Sequence, residues 1–337
     1  MPLPIAVRRA RPSDKAAVLA FATHTWDGWD YVPEVWDTWL TATDGVLLVA
    51  CAAGAARGLD GTPIAAGQPV AMSRLALLAP GEAWVEGIRV DPAARGREVA
   101  TNLQVAELAW AAAHEVRVVR YTTGQDNEAS HRLGARHGFV RQADRRSYGP
   151  RRDGGSDQAS PPDASALHWL GGAAPAAEVA RWWRLVADDP TFAAGDRLYE
   201  PRGWAFQALD ADRFAAHVRR GEVALARDGG ALVITSKGDD EGPEVALVAG
   251  DGRSALTLLD DLRRAAGRSP RPRLPDPDPP MLRAGIAERW AADGFSAHDH
   301  TLHIMALTMD APVPQAEPPG VLSLADPPRP VARPPVR

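Results

Sequence analysis

The chain has 337 residues, 45% of them apolar, a formal charge of −5 and one cysteine. That length suggests two domains, and the charge argues against a general nucleic-acid or membrane-surface binder. A single cysteine excludes an internal disulfide framework and a thiolate-rich metal site.

No apolar run approaches the ~18 residues that span a membrane, and "MPLPIAVRRARPSD" has no apolar signal core. A soluble, cytoplasmic protein is the expectation. Residues 87–152 hold 12 arginines against 7 acids, a local +5 on an acidic chain. Such a patch suits an anionic small molecule.

In chain order, "IAVRRARPSDKAAVLAFATHTW" reads as strand, turn and helix, with Ser13 or Asp14 as N-cap. "WDGWDYVPEVWDTWL" gathers Trp26, Trp29, Tyr31, Trp36 and Trp39. "GVLLVACAA" is a buried strand that makes Cys51 an inert core thiol. "QPVAMSRLALLAP" and "GEAWVEGIRVDP" are two more strands. Residues 97–114 place Val99, Leu103, Ala106, Trp110 and Ala113 on one helical stripe. "VRVVRYTT" is a strand, "NEASHRLGARHGF" a short helix ended by Gly138, and "GFVRQADRRSYG" a closing strand. The order β-α-βββ-α-β-α-β implies an α/β fold, a mixed central sheet with helices on both faces.

Residues 151–164 are polar and rich in Pro and Gly, as a linker would be. From 165 to 311 a helix, paired strands, a third strand, a helix, a Pro-rich loop, a helix ending in Phe295 and the strand "HTLHIMALTM" repeat the first unit in outline. This is a tandem arrangement with a diverged second copy. Residues 312–337 form a Pro-rich tail without periodicity. His298, His300 and His303 read as a polar strand edge, so no metal is expected.

"RVDPAARGREVATNL", residues 89–103, runs from a strand through an arginine-glycine turn into a helix. Free backbone N–H groups and the positive end of the helix dipole make such a turn a seat for a diphosphate. The stretch resembles the acetyl-CoA signature of the GCN5-related N-acetyltransferases (GNAT), with Arg95 at its first position and Ala100 at its last. Glu98 replaces the middle glycine, losing glycine's easy access to positive φ. "DNEASHRLGARHGF" is similar to that family's cofactor-side helix. The resemblance covers residues 5–150 and the second unit in outline. "DYVPEVWDTWL", "GVLLVA" and "WVEGIRVDP" resemble a subgroup that includes histidine N-acetyltransferase-like proteins with a degenerate second half.

The resemblance implies an acetyl-CoA-dependent N-acetyltransferase, with acetyl-CoA as co-substrate and a small-molecule amine as acceptor. No nucleic-acid or membrane partner is implied, and the chain would act as a monomeric pseudo-dimer or a homodimer. It implies a cradle made of Arg95, Gly96, Arg97, Glu98, Val99, Ala100 and Thr101, with Asn127 beside it. Ile88 and Val90 would hold the pantetheine arm at a bulge opened by Gly87. A protonated amine must lose a proton before attack, and Glu86 is the expected base. Gly134 stands where the family often has a tyrosine acid, so Tyr121 or Tyr148 is the expected substitute. Trp26, Trp29, Asp30 and Tyr31 would line the acceptor. In the second unit "AGDGRSAL" lacks a preceding arginine, and Asp251 would face a phosphate, so no acetyl-CoA is expected there. A non-catalytic CoA- or ligand-sensing module is the alternative, because of Glu98 and Gly134.

Overall fold

A computed structural model describes residues 1–23, 25, 28–150, 167–236, 244–266, 273–275 and 295–309. The expected linker, the tail, Trp26 and almost all of the helix expected to end at Phe295 lie outside the described residues. Among the described residues there are two compact units. Met1–Arg120, Leu133–Gly138 and the residues from Leu307 make the first; Tyr121–Arg132 and Phe139–Ala306 make the second.

The first unit contains β1 (Ile5–Arg9), α1 (Lys15–Ala22), α2 (Val32–Thr41) and β2 (Gly45–Ala52). A minimal hairpin of β3 (Ala56–Arg57) and β4 (Pro63–Ile64) leads to β5 (Pro69–Ala79), β6 (Glu82–Val90) and α3 (Val99–Ala113). The start of β7 (Val118–Gly124) and the end of α4 (Glu128–Arg136) complete it. Its strand order is β1-β2-β5-β6-β7. Every pair is antiparallel except β6 with β7, so the sheet is mixed as expected.

The apolar pattern explains the layering. β2 is buried along all eight residues, as a central strand covered on both faces must be. On one face, Val32, Trp36 and Trp39 of α2 recur at helical spacing and pack with Val18, Leu47, Val49, Cys51 and Met72. α3 buries Val99, Leu103, Ala106, Trp110 and Ala111.

Among the departures from regular pairing in this sheet, two lie near the end of β6. Met72 pairs with Arg89 but Arg74 with Glu86, so β6 holds one residue more than β5 between those pairs. The bulge centres on Gly87, whose φ is +68°. The parallel pairing of β6 to β7 runs to Trp84 with Arg120, and among the described residues the later part of β6 has no ladder partner on that side.

The second unit contains β8 (Val140–Pro150), β9 (His168–Leu170), α5 (Ala176–Ala187), α6 (Pro190–Ala194), β10 (Leu198–Arg202), β11 (Ala205–Ala208) and α7 (Ala211–Arg219). Then come β12 (Val223–Leu225), β13 (Ala231–Ser236), β14 (Glu244–Gly250), α8 (Gly252–Ala266), β15 (Arg273–Pro275) and β16 (Phe295–Thr308). A four-stranded sheet, β14-β13-β12-β9, lies between α8 on one face and α5 and α7 on the other. Leu258, Leu259 and Leu262 meet Val233 and Val245, while Trp182, Phe214 and Val218 meet Leu232 and Ile234.

The strand "HTLHIMALTM" does not close that sheet. As β16 it runs antiparallel to β8, with Ile304 opposite Ala143, and lies between β8 and β7. A strand's alternation marks it as a strand but carries no information about which strand it joins. The β10–β11 hairpin, α6 and α7 are additional to the elements expected from local pattern.

Candidate active site

The turn between β6 and α3 has the form expected of an anion seat. Asp91 caps a single 3-10 turn, accepting from the Ala93 N–H at 2.9 Å. The chain then passes through Gly96 at φ +69° and Glu98 at φ +63°. The first helical bond of α3 is Asn102 N–H to Glu98 O, 3.0 Å. Among the described residues, no backbone carbonyl takes the N–H of Gly96, Arg97, Glu98, Val99, Ala100 or Thr101. Six donors and the N-terminal end of the α3 dipole therefore lie within one short stretch of chain.

Glu98 adopts the left-handed conformation that a glycine would take without strain, at a cost of ~1–2 kcal/mol for a side-chain-bearing residue. Its side chain is exposed and makes no capping bond.

The two arginines of the turn are engaged elsewhere. Arg95 folds back to donate its Nε to Val90 O at 3.2 Å. Arg97 donates to Met1 O and Arg57 O at 3.3 and 2.6 Å, tying the N-terminus and the β3 segment to the turn. The cation beside the seat comes from α4, where Arg136 donates to Thr101 Oγ1 at 3.4 Å. No local sequence signal marks Arg136, because only the fold brings the end of α4 to the start of α3.

The face of the sheet carrying α2 holds a layered network at the bulge. Arg74, 2% exposed, bonds the Glu86 carboxylate directly across the strand pair and Asp44 at 2.5 Å. Its guanidinium lies 5.6 Å from the Trp39 ring centroid. One step along, Arg89 is held by Asp30 at 2.6 and 3.1 Å and by Ile88 O at 3.0 Å. Asp30 also accepts the Val32 N–H at 2.9 Å. Burial would raise the Asp30 pKa, but its bonds to Arg89 and neighbouring donors bring it below the usual carboxylate range. Asp30 is 4% exposed and therefore presents no carboxylate to an amine from solvent.

Aromatic rings roof this network. Tyr31 meets Trp39 edge-on at 5.8 Å, Trp29 lies 6.5 Å from Tyr31, and Trp29 is 55% exposed. A β-carbon at Gly87 would stand 2.6 Å from the Trp39 ring, so glycine is required there by space as well as by φ.

The remaining expected residues lie in the second unit. The Tyr121 hydroxyl donates to Ser130 O at 3.2 Å, and its ring packs on Phe139 at 5.1 Å. Asn127 caps α4, its side-chain oxygen accepting from the Ser130 N–H at 3.2 Å. Tyr148 lies on β8, and its side chain is outside the described residues.

The turn before α8 differs from its counterpart before α3. The Gly250 N–H goes to Asp189 at 2.6 Å and the Asp251 N–H to Gly230 O at 2.8 Å. The Arg253 N–H goes to the Asp251 side chain at 3.2 Å. Three donors that an anion would use are already taken, two of them by carboxylates. A cavity of about 20 Å³ in this unit, lined by Arg145, Thr191, Tyr199 and Phe206 among others, has room for one or two waters. Among the described residues, no three His, Cys, Asp or Glu side chains are grouped to hold a metal ion. No described helix is long and apolar enough to cross a membrane.

Residues 21–139 match the family model described as the acetyltransferase (GNAT) family. A GCN5-related N-acetyltransferase from Sphaerobacter thermophilus is 16% identical, the likeness covering 90% of this chain and 95% of that one at a TM-score of 0.52. A provisionally assigned acetyltransferase from Thermoplasma acidophilum is 16% identical, with 90% and 100% covered and a TM-score of 0.51. One from Pyrococcus horikoshii is 15% identical, with 91% and 90% covered, also at 0.51. At such identities these likenesses establish the fold. No curated protein matches the chain in sequence.

Proposed function

We propose, on the match of residues 21–139 to the acetyltransferase (GNAT) family model, that the chain moves an acetyl group from acetyl-CoA to a primary amine of a small molecule or amino acid, by direct attack in a ternary complex. The observation that supports this most is the row of N–H groups from Gly96 to Thr101 that no backbone carbonyl takes. They follow a strand, β6, whose pairing to β7 among the described residues runs only to Trp84.

In this reading the turn amides and Arg136 bind the diphosphate. The backbone of Ile88 and Val90 holds the pantetheine arm along the open edge of β6. An N–H at the bulge steadies the oxyanion that forms as the amine attacks. Glu86, held in place by Arg74, receives the amine's proton directly or through water. Trp29 and Tyr31 wall the acceptor. The resemblance to histidine N-acetyltransferase-like proteins places amino acids among the acceptors to try.

The first domain would run to about residue 150. The region 165–311 would be a degenerate copy that binds no acetyl-CoA, which the blocked turn at Gly250–Arg253 supports.

Incubation with acetyl-CoA and a panel of amines and amino acids, followed by detection of free thiol, tests the proposal. Amine-dependent thiol release supports it. Acetyl-CoA binding without turnover on any acceptor would instead identify a non-catalytic CoA- or ligand-sensing module.

A further inference from the structure

Two buried polar side chains meet behind the bulge, on the face of the sheet away from α2. Met72 packs with α2 and Arg74 reaches Trp39, so Ser73 between them points to the opposite face, toward α3. Ser73 has no solvent exposure, and its hydroxyl donates to Glu86 O at 3.5 Å. Glu107 of α3 is equally buried, and the Ser73 hydroxyl is the polar group that acts on its carboxyl.

A serine hydroxyl has one proton to donate, and here two acceptors compete for it. A neutral Glu107 leaves that proton to the Glu86 carbonyl and can give its own to Ser73 Oγ. This is the arrangement observed, since among the described residues neither Glu107 oxygen accepts a bond in good geometry. An ionised Glu107 is the stronger acceptor and draws the Ser73 donor away. The Glu86 carbonyl belongs to the peptide that carries the Gly87 N–H, and in a planar trans peptide the two groups point in opposite directions. Whatever holds the carbonyl therefore aims the N–H.

The surroundings of Glu107 hold little other charge. α3 packs on β1, β2, β5 and β6. Among the described residues, register places one charged side chain of those strands on that face, Arg9 at the exposed end of β1. Glu107 is the one charged residue within α3. Gln104 lies one turn before it and Trp110 one turn after, with His114 stacked on Trp110 at 3.7 Å. Burial sets the balance and pushes the Glu107 carboxyl up to about 8, with Ser73 acting in the opposite direction.

We propose that Glu107 and Ser73 are positioning residues for acetyl transfer: while Glu107 is protonated, Ser73 holds the Glu86 carbonyl and so aims the bulge N–H at the thioester, and ionisation of Glu107 releases it. The inference rests on the acetyl-transfer reading and deepens it by giving the reaction an alkaline limit.

The test is kcat/KM for the amine, at saturating acetyl-CoA, from about pH 6 to about pH 9. Below the amine pKa the reactive free base rises about tenfold per pH unit. In the wild type the rate should follow that rise and level off above about 8. Glu107→Gln keeps a neutral group able to donate to Ser73 Oγ, so its rate should go on rising and stand about tenfold above the wild type near pH 9. Ser73→Ala loses the tether at every pH but keeps the titrating carboxyl and its effect on stability. It should be slower than the wild type at neutral pH and show no levelling. Coincident profiles for the wild type and Glu107→Gln, or levelling that persists in Ser73→Ala, would overturn the proposal. Amide hydrogen exchange gives a readout free of turnover. The Gly87 amide should exchange faster in the wild type than in Glu107→Gln near pH 9 and alike near pH 6; equal rates at both also overturn it. A wild-type chain that shows this exchange difference but releases no thiol with any amine sinks the acetyl-transfer reading and leaves the Glu107–Ser73 link standing.

Discussion

The guanidinium of Arg74 bonds the carboxylate of Glu86 across the β5–β6 strand pair, with 2% of the arginine side chain and 17% of the glutamate side chain exposed. A cation this deep depends on its partners, and removing Glu86 leaves it only Asp44, whose side chain is 51% exposed.

Glu86→Gln therefore has two effects. As the proposed base, its loss should lower kcat by ~10²–10⁴-fold. As the partner of Arg74, its loss should lower stability by on the order of 3 kcal/mol. Denaturant unfolding and thiol release measured on the same preparations separate the two. The double variant Arg74→Met, Glu86→Gln removes the stranded charge and should regain stability but not turnover. Activity that recovers along with stability would show that Glu86 acts only through the fold.

Glu98 occupies the left-handed region, at φ +63° and ψ 12°. Glu98→Gly should relieve about 1 kcal/mol of backbone strain, part of it offset by the freedom glycine gains in the unfolded chain. Removing an acidic neighbour of the diphosphate should also tighten acetyl-CoA binding several-fold. Urea unfolding and calorimetry measure both effects. Weaker binding in Glu98→Gly would mean that the carboxylate takes part in recognition.

Gly87→Ala forces a β-carbon to 2.6 Å from the Trp39 ring in a backbone conformation with φ +68°. Overpacking of this kind costs ~1–3 kcal/mol and closes the bulge. Thiol release should fall at least tenfold in protein that is still folded by circular dichroism. Unchanged turnover would place the thioester away from the bulge.

Glu107 lies on α3 with no solvent exposure, and burial pushes its pKa up to about 8, partly opposed by Ser73. Among the described residues, neither carboxyl oxygen has a hydrogen-bond partner in good geometry. The folded state thus holds this proton more tightly than the unfolded chain, whose Glu titrates near ~4.3. The stability it contributes is full below that value and is lost as pH rises through about 8. The loss is at most ~1.4 kcal/mol per pH unit in that window. Urea unfolding between pH 5 and 8 should show a steeper decline for the wild type than for Glu107→Gln. Parallel pH slopes would contradict the assignment.

Periodicity revealed the first unit well. The all-apolar β2, the Val99–Leu103–Trp110 stripe of α3 and the strand–turn–helix at 89–103 follow from local pattern. What escaped reading depends on tertiary pairing. Arg74 meets Glu86 only because of strand register, Arg136 reaches Thr101 only because two helix ends converge, and Asp30 goes inward to Arg89 instead of outward to an amine. Arg97, expected in the cradle, also donates to Met1 O and Arg57 O, contacts that only tertiary structure brings about. The partner of β16 was likewise invisible, since alternation names a strand and not its neighbour.

The central claim is that backbone amides from Gly96 to Thr101 grip a diphosphate, while the turn before α8 does not. Calorimetric titration of the full chain with acetyl-CoA tests it most directly. The account predicts one saturable site per chain, with affinity that weakens in Arg136→Ala. No heat at millimolar acetyl-CoA would contradict it.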